Sequence, residues 1–443
     1  MAVLTEVPAI EQQEDTLTLV SPKVRPWLWP VLIGLIIRLA VTGVVYHGFL
    51  DPGRDHWEFG YELGHLARSI ALGHGFSSPY WTNTGPTALL TPVYPYLLAG
   101  IFSLFGVFTK TSALVILSIN CIFSSVTAIP IFYIGLKSFN LRTAKLAVWV
   151  WAFYPYAINF STTTMWYHSF VALLLAVILL VALHLESSDR LMYWTGFGVL
   201  FGFAALTNPV ILAILPFVGG WLYIRLARQN KRAVTACAVG LIALLLTVIP
   251  WPIRNELVMK DRIPFKDGFW EEVCVGNVRN NLHWWDGGVH PAGNDADRQK
   301  FERMGEIDYL AMKRTQALTF IRQHPGTYIF RSLRRVVFLW TGFWSLSPAY
   351  LSLEPLDLWS ISLLTPLSIL ALCGLYQEWL SAKTRKYAVL FAMVFFSFPI
   401  TYYLSHLDPG YRHPLDPLLI LLACSTIIRW LAQMRDTSDL HEA

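Results

Sequence analysis

The chain has 443 residues, of which 55% are hydrophobic and only 14% are charged, and its mean hydropathy is +0.47. Soluble domains carry roughly a quarter charged residues, so this composition excludes a chain built of one or two soluble domains. The net charge of +5 is modest. The basic residues flank apolar segments, a pattern that fits lipid headgroups and indicates no nucleic-acid partner.

Twelve apolar segments follow one another along the chain, most of them close to the ~20 residues that a membrane-spanning helix needs. They lie at 27–47, 88–107, 112–136, 143–161, 166–185, 191–206, 208–224, 233–251, 336–350, 357–378, 387–404 and 414–432. We therefore predict an all-α polytopic membrane protein with a cytoplasmic tail at 1–26, one membrane domain at 27–432 and a second cytoplasmic tail at 433–443.

Two of these segments are predicted not to cross the membrane. If all twelve crossed from a cytoplasmic N-terminus, the basic clusters around Lys137 and Arg225 would lie outside, against the positive-inside rule. Segment 88–107 is short and contains two prolines, and segment 336–350 is short and follows three arginines. The preferred arrangement therefore has ten membrane crossings. The alternative is that all twelve segments cross and that the positive-inside rule holds less strictly in this chain.

The ten-crossing arrangement places three loops together on the outer side, at 48–87, 252–335 and 405–413. Within the first loop, apolar residues at helical spacing over 62–72 predict a juxtamembrane helix along the interface. Within the second loop, the same spacing over 300–323 predicts an amphipathic helix that ends at the His324-Pro325-Gly326 breaker.

The first outer loop is unusually acidic. Asp51, Asp55, Glu58 and Glu62 fall within twelve positions, directly after the first spanning helix. Crowded carboxylates repel one another and raise the pKa of one member toward a value that suits a general base. The alternative is a solvated acidic cap at a helix N-terminus, which the helix dipole favours.

The outer segments also carry arginines that the positive-inside rule does not explain. They are Arg254, Arg331, Arg334, Arg335 and Arg412. Guanidinium groups bind phosphate oxygens bidentately, so these residues predict a site for a lipid-linked phosphate at headgroup depth. Snorkelling, or pairing with the acidic loop, is the alternative for each of them.

No motif indicates a cofactor. The histidines of the outer segments show no HExxH pattern and no close pair with a third ligand, so no metal site is expected. A divalent cation is compatible with the chemistry but nothing in the sequence calls for one. Gly-rich nucleotide-binding loops are absent from the sequence as well. Outer tryptophans such as Trp57 suit either an interfacial belt or the stacking of a sugar ring.

Several short motifs occur together in a familiar order. They are Gly60-Tyr61-Glu62, Leu66-Ala67-Arg68, Pro92-x-Tyr94-Pro95, Leu206-Thr207-Asn208-Pro209, Pro250-Trp251-x-x-Arg254-Asn255 and Tyr411-Arg412-His413-Pro414. This order resembles the GT-C membrane glycosyltransferases, in particular family-39-like proteins related to dolichyl-phosphate-mannose protein mannosyltransferases and to the aminoarabinose transferases of lipid A. The resemblance covers nearly the whole chain.

The resemblance implies a GT-C-like bundle of about 10–12 transmembrane helices, with juxtamembrane helices in the first outer loop. It also implies an inverting sugar transfer from a polyprenyl-phosphate donor to an acceptor, at the non-cytoplasmic face of what we expect to be a bacterial inner membrane. An acidic residue of the first outer loop is the implied base. We rank Glu62 first, Glu58 second and Asp55 third.

The remaining site residues come from the outer arginines, from the outer tryptophans and from these motifs. Arg254, Arg331, Arg335 and Arg412 are the candidates for the lipid phosphate, and Tyr61, Trp57 and His413 are the candidates for the sugar or the acceptor. The acceptor is a protein, a glycan or a lipid. A transporter or lipid flippase is the rival function, but it predicts internal repeats and charges deep in several helices, which the sequence does not show.

Overall fold

The computed structural model describes residues 25–49, 59–279, 287–342, 348 and 357–442. Asp55, Trp57 and Glu58 lie outside the described residues. The described chain is helical throughout, without a β-strand. Its α-helices are α1 (Leu28–Phe49), α2 (Glu62–Ala71), α3 (Val93–Phe105), α4 (Lys110–Val126), α5 (Ala128–Ser138), α6 (Leu141–Phe153), α7 (Pro155–Thr162), α8 (His168–Leu185), α9 (Leu191–Thr207), α10 (Leu215–Ala227), α11 (Ala233–Val248), α12 (Pro250–Met259), α13 (Phe269–Asn277), α14 (Asp295–Met304), α15 (Glu306–Gln323), α16 (Pro325–Thr341), α17 (Asp357–Leu380), α18 (Arg385–Ser397), α19 (Ile400–Leu404), α20 (Pro409–Arg412) and α21 (Asp416–Glu442).

Polar groups at the helix ends explain several of these boundaries. Thr109 and Ser112 form a capping box at the start of α4, and the side chain of Asn140 accepts the amide of Thr143 at the start of α6. Asn208 caps the 3-10 turn Pro209–Ile214 that leads into α10. Each cap satisfies amides that would otherwise lack a partner inside the bundle.

Close helix packing depends on glycine at one contact in particular. α9 packs against α11, and a Cβ atom on Gly198 would overlap the carbonyl oxygen of Gly240. Small residues of this kind allow two membrane helices to approach at backbone distance. The largest core cluster then runs through the bundle from Val31 to Cys424.

The bundle has two chemically different ends. At the first, which we call the basic end, the buried carboxylate of Glu186 lies 3.6 Å from Lys137, 3.5 Å from Arg225 and 3.1 Å from Lys386. At the other, which we call the cap end, α2 and α13–α15 lie over the helix termini. α8 runs from the cap end to Glu186 and has 18 residues, a length of about 27 Å, close to the hydrocarbon thickness of a bilayer.

Within the described residues, seven helical stretches are long and apolar enough to cross a membrane by length and composition. They are Lys110–Ser138, His168–Leu185, Pro209–Ala227, Ala233–Met259, Trp359–Leu380, Arg385–Leu404 and Pro409–Arg435. Three further elements of the described chain run between the two ends: α1, α9 and the pair α6–α7, which is broken before Pro155. This architecture is that of a multi-pass membrane protein.

The two segments predicted to be shallow contain α3 and the C-terminal part of α16, and of segment 336–350 the structure describes only 336–342 and 348. α3 lies between Leu90 and Phe108, which both pack in the cluster that contains α2. α16 begins where Tyr328 donates to the carbonyl of Leu404, at the cap end. It ends at Thr341, whose carbonyl accepts from Thr365 in the first half of α17. Neither helix is among the seven long apolar stretches of the described chain, and the shallow placement of the two segments stays a prediction.

The predicted helix over 62–72 is confirmed as α2, but more than one of its faces is buried. The predicted single helix over 300–323 is wrong in its extent. The chain breaks at Gly305, which has a φ of +79°, so two helices, α14 and α15, replace it. The breaker at 324–326 ends α15, and Pro325 then occupies the first turn of α16, where its missing amide costs nothing.

Candidate active site

A cavity of about 930 Å³ lies at the cap end, where the three predicted outer loops converge. The first loop contributes Glu62, the second contributes residues from Lys266 to His290, and the third contributes residues from Ser405 to Tyr411. The ends of α7, α8 and α17 complete its wall. A cavity of this size accommodates a small sugar-sized ligand together with part of a second substrate.

Glu62 is the predicted base candidate that the structure places in this cavity. It is the first residue of α2 and is 7% exposed. The preceding residue, Tyr61, has a φ of +35°, an unusual backbone conformation for a bulky side chain and one often kept at functional sites. Burial raises the pKa of Glu62 to about 8, and the nearby Glu272 raises it while the charge of Lys266 lowers it.

Two further glutamates, which sequence analysis missed, line the cavity beside Glu62. Glu271 and Glu272 occupy the first turn of α13. Burial raises the pKa of Glu271 well above its usual value, and the charge of Glu272 adds to that effect. Burial alone would also raise the pKa of Glu272, but His406 and Lys266 outweigh it, so that this pKa is lowered. The sequence feature that could have revealed these two residues is an adjacent Glu-Glu pair at the start of a helix in an outer loop.

Two histidines contact these carboxylates. Nδ1 of His406 lies 3.2 Å from Glu272, and Nε2 of the same ring lies 2.9 Å from the hydroxyl of Tyr411. Nε2 of His290 lies 3.7 Å from Glu271 and 3.9 Å from Glu62. Burial lowers the pKa of both rings, to about 4 for His290, so the His290 ring is neutral near pH 7.

Aromatic rings form much of the remaining wall. They are Tyr156, Phe160, Trp166, Tyr167, Phe269, Tyr402 and Tyr411. The rings of Tyr402 and Tyr411 stack with their centroids 4.1 Å apart. Aromatic faces of this kind pack against the apolar face of a sugar ring. Lys266 is the one lysine or arginine among the described residues that line the cavity.

The predicted phosphate-binding arginines of the outer loops lie outside this lining. Arg254 donates to the carbonyls of Thr87 and Phe76 and lies over the ring of Trp251. Arg331 and Arg335 both donate to carbonyl oxygens of the α13 C-terminus. Carbonyl groups at a helix C-terminus attract cations, so these arginines fasten the cap to the bundle.

Arg412 and His413 lie directly behind the cavity wall, and both are buried. The Nε atom of Arg412 is 3.4 Å from Asp416, and the Nδ1 atom of His413 is 3.1 Å from the same carboxylate. The His413 ring stacks on Trp151. Tyr61 is buried beside His65 and Tyr80. The structure therefore brings only Glu62 of the described sequence candidates into the cavity lining.

Among the described residues, no group of three or more His, Cys, Asp or Glu side chains is arranged to hold a metal ion. Glu62, Glu271 and His290 come nearest to such a group. Their separations of 3.7–3.9 Å suit shared protons and ion pairing better than a common ligand shell.

Comparison with known proteins identifies the fold. Residues 88–251 match the sequence model of the family described as dolichyl-phosphate-mannose-protein mannosyltransferase. The apo oligosaccharyltransferase of Archaeoglobus fulgidus superposes with a TM-score of 0.54 at 13% identity, over 93% of this chain and 52% of that one. This protein has a GT-C-type fold. The resemblance predicted from the sequence motifs is thereby confirmed.

A second archaeal structure shows the same likeness to this GT-C-type chain. The archaeal oligosaccharyltransferase AglB from Archaeoglobus fulgidus, in complex with an inhibitory peptide and a dolichol-phosphate, has a TM-score of 0.50 at 13% identity, over 93% of this chain and 52% of that one. ArnT from Cupriavidus metallidurans, bound to undecaprenyl phosphate, has a lower TM-score of 0.37 at 15% identity, over 89% of this chain and 77% of that one. No curated protein matches the chain. The chain spans about half the length of the archaeal structures.

The segment that matches the family model contributes walls of the cavity but none of its carboxylates. Leu89, His168 and Asn208 fall within 88–251, whereas Glu62, Glu271, Glu272 and Asp408 fall outside it.

Proposed function

We propose that this protein is an inverting glycosyltransferase that moves a sugar from a polyprenyl-phosphate donor to an acceptor at the non-cytoplasmic face of a bacterial inner membrane. The observation that carries the proposal is the buried Glu62 in a sugar-sized cavity at the cap end of a GT-C-type bundle. The gathering of basic residues around Glu186 at the opposite end supports a cytoplasmic basic end.

In this proposal Glu62 takes the proton of an acceptor hydroxyl or amine. The acceptor atom forms the new bond to the sugar's anomeric carbon as the bond from that carbon to the phosphate oxygen breaks. The electron pair leaves with the phosphate, so no protonating acid is required, and cationic groups stabilise the developing charge. One displacement at one carbon inverts its configuration.

We assign the phosphate contact first to Lys266, because its ammonium group belongs to the cavity lining. Among the arginines proposed from the sequence, Arg412 is the one to test first. Its three guanidinium nitrogens are buried and make no hydrogen bond to any described residue, and it adjoins Tyr411, which lines the cavity. Arg254, Arg331 and Arg335 would have to leave carbonyl partners to reach a phosphate.

The test is transfer of radiolabelled sugar from a panel of polyprenyl-phosphate sugars by the purified protein in liposomes. Glu62→Gln keeps the size of the side chain and removes the base, and we expect it to lower the rate at least 100-fold. The matched control, Glu256→Gln, changes an exposed glutamate of α12 and leaves the rate within twofold. Full activity in Glu62→Gln would remove Glu62 as the base, and no consumption of any donor by the wild type would favour the transporter function.

A further inference from the structure

The His290 ring is held in one tautomer by its own loop. The backbone N–H of Ala292 donates to Nδ1 of His290 at 3.1 Å. Nδ1 is therefore the acceptor nitrogen, and in the neutral ring Nε2 carries the proton. That N–H is directed at the side of the cavity where Glu62 and Glu271 lie, 3.9 Å and 3.7 Å away.

The loop that carries His290 is anchored to the cap by a buried ion pair. Lys313 of α15 is 2% exposed, and its Nζ donates to the carbonyl of Val289 at 2.6 Å and to Asp297 at 2.5 Å. Asn294 donates to the carbonyl of Gly288 at 2.9 Å. These contacts fix the backbone on both sides of the ring, so the position of Nε2 is set by α14 and α15 and not by α2.

The charged and titratable groups that face His290 come from every element around it. They are Glu62 of α2, Glu271 and Glu272 of α13, Asp297 of α14, Lys313 of α15 and His406 of the third outer loop. The two carboxylates that flank this N–H repel each other when both are ionised, so the second ionises less readily than the first, and the neutral His290 ring carries no charge to offset that repulsion. One of the two carboxylates therefore keeps its proton to a higher pH.

The deeper carboxylate is the one that keeps it. Glu271 is 2% exposed and Glu62 is 7% exposed, and burial raises the pKa of Glu271 well above its usual value. Lys266 stabilises the ionised form of Glu62. The arrangement resembles two-carboxylate sites in which neighbouring acids with different environments take different roles.

We propose that His290 is a positioning residue that divides one proton between Glu62 and Glu271, so that Glu62 gives up its proton first and becomes the base while Glu271 keeps its own. Only the role of Glu62 as the base rests on the proposed function. The division of the proton is a property of three side chains in the resting protein. It predicts that removal of the Nε2–H makes ionised Glu62 less stable, whereas a side chain that keeps an N–H donor at that point preserves it in part.

Two measurements test this on the full-length protein in liposomes. The first is labelling of Glu62 and Glu271 by dicyclohexylcarbodiimide, which reacts with protonated carboxyl groups, followed by mass spectrometry of peptides across pH 5–9. In the wild type we expect Glu271 to be labelled at a pH where Glu62 is not. In His290→Ala the labelling midpoint of Glu62 rises by about one pH unit, since the Nε2–H dipole, 3.9 Å from the carboxylate, no longer favours its ionised form. His290→Gln gives a midpoint between the two, and the exposed control His74→Gln matches the wild type.

The second measurement is the pH profile of sugar transfer by the same variants. His290→Ala lowers kcat about tenfold at pH 7 and recovers most of it at pH 9, with KM little changed. Equal loss at every pH in both His290 variants, or unchanged labelling of Glu62 in His290→Ala, would overturn the proposal. Loss of activity on chelation, with recovery on addition of Mn²⁺, would also overturn it by making His290 a metal ligand. A wild type that shows the labelling pattern but transfers no sugar would refute the proposed function and leave the proton division standing.

Discussion

Two glutamates of one cavity have pKa values shifted in opposite directions, and the cause lies in their immediate neighbours. Glu62 is buried, Glu272 is half-buried, and both line the cavity. Glu272 lies 3.2 Å from His406, and with Lys266 this neighbour outweighs desolvation. For Glu62 desolvation dominates and its pKa is about 8. Local partners therefore decide which acid is ionised at neutral pH.

The pH dependence of transfer follows from the pKa of Glu62. A base acts only in its ionised form, and the fraction of ionised Glu62 grows as the pH rises through about 8. We expect kcat to rise between pH 7 and pH 9 and then level off. Lys266→Met removes a charge that lowers this pKa, so the rising limb moves to higher pH, by up to about one unit, and KM for the donor increases.

The control for this prediction is Lys110→Met, which removes an exposed lysine at the start of α4, away from the cavity lining. Its profile of kcat against pH matches that of the wild type. If the rise of kcat with pH moved to lower pH in Lys266→Met, Lys266 would not lower the pKa of Glu62. If neither that rise nor KM for the donor changed, Lys266 would act neither on Glu62 nor on the donor.

Glu62 was predictable from the sequence because its loop, its helix and its motif all point to one position. His290 and the pair Glu271 and Glu272 were not, because only the folded cap brings three separate stretches of chain to one cavity. The arginines show the converse difficulty. Their number predicts phosphate binding, but sequence does not reveal that Arg254 and Arg335 are bound to backbone carbonyls, since carbonyl groups occur at every position.

At the scale of elements, the cap depends on the contact of α14 with α15. Lys313 and Asp297 pair in a buried setting and also hold the carbonyl of Val289. Lys313→Met leaves that carbonyl and the carboxylate without their strongest donor. We expect it to destabilise the cap by about 3 kcal/mol, measured as a lower Tm in nanodiscs and as faster tryptic cleavage between residues 260 and 324. Transfer falls as well, since the His290 loop loses its anchor.

Lys300 provides a matched control on the same carboxylate. It lies 2.9 Å from Asp297, but its side chain is 45% exposed. Solvent screens such a pair, so Lys300→Met costs less than about 1 kcal/mol. Equal destabilisation by the two substitutions would mean that burial of Lys313 contributes nothing to holding the cap.

The shallow helices show what charge patterning can predict about elements. Segments 88–107 and 336–350 were separated from the crossing segments because a full crossing would have placed the basic clusters outside. α3 lies on the cap side and α16 begins there, but most of the chain after α16 up to residue 350 lies outside the described residues, so the shallow placement stays a prediction. The prediction of one continuous helix over 300–323 was wrong for a local reason. A positive φ at Gly305 ends α14. The spacing of apolar residues does not reveal such a break, because a single glycine between two helices leaves the helical spacing almost unchanged.

At the scale of the whole molecule, the two ends of the bundle differ in how their charges are arranged. The basic end gathers three cations from three helices around Glu186. The cap end gathers four carboxylates around the cavity, with one lysine among the described lining residues, and its arginines are bound to backbone carbonyls behind that lining. Positive residues favour the cytoplasmic side during insertion, whereas carboxylates contribute little to orientation. The basic end therefore supports the proposed orientation, in which the acidic cavity lies on the non-cytoplasmic side.

This orientation predicts opposite labelling of two single cysteines placed in a variant that lacks the five native cysteines. Trp81→Cys replaces a residue of the cap end that is 46% exposed, and Arg228→Cys replaces an exposed residue at the basic end of α10. We expect an impermeant maleimide to label Trp81→Cys in intact cells and Arg228→Cys only after permeabilisation, because about 27 Å of apolar helix separates the two ends. Labelling of Arg228→Cys alone in intact cells would reverse the orientation and place Glu62 on the cytoplasmic side, where the proposed donor would have to be presented from the opposite leaflet.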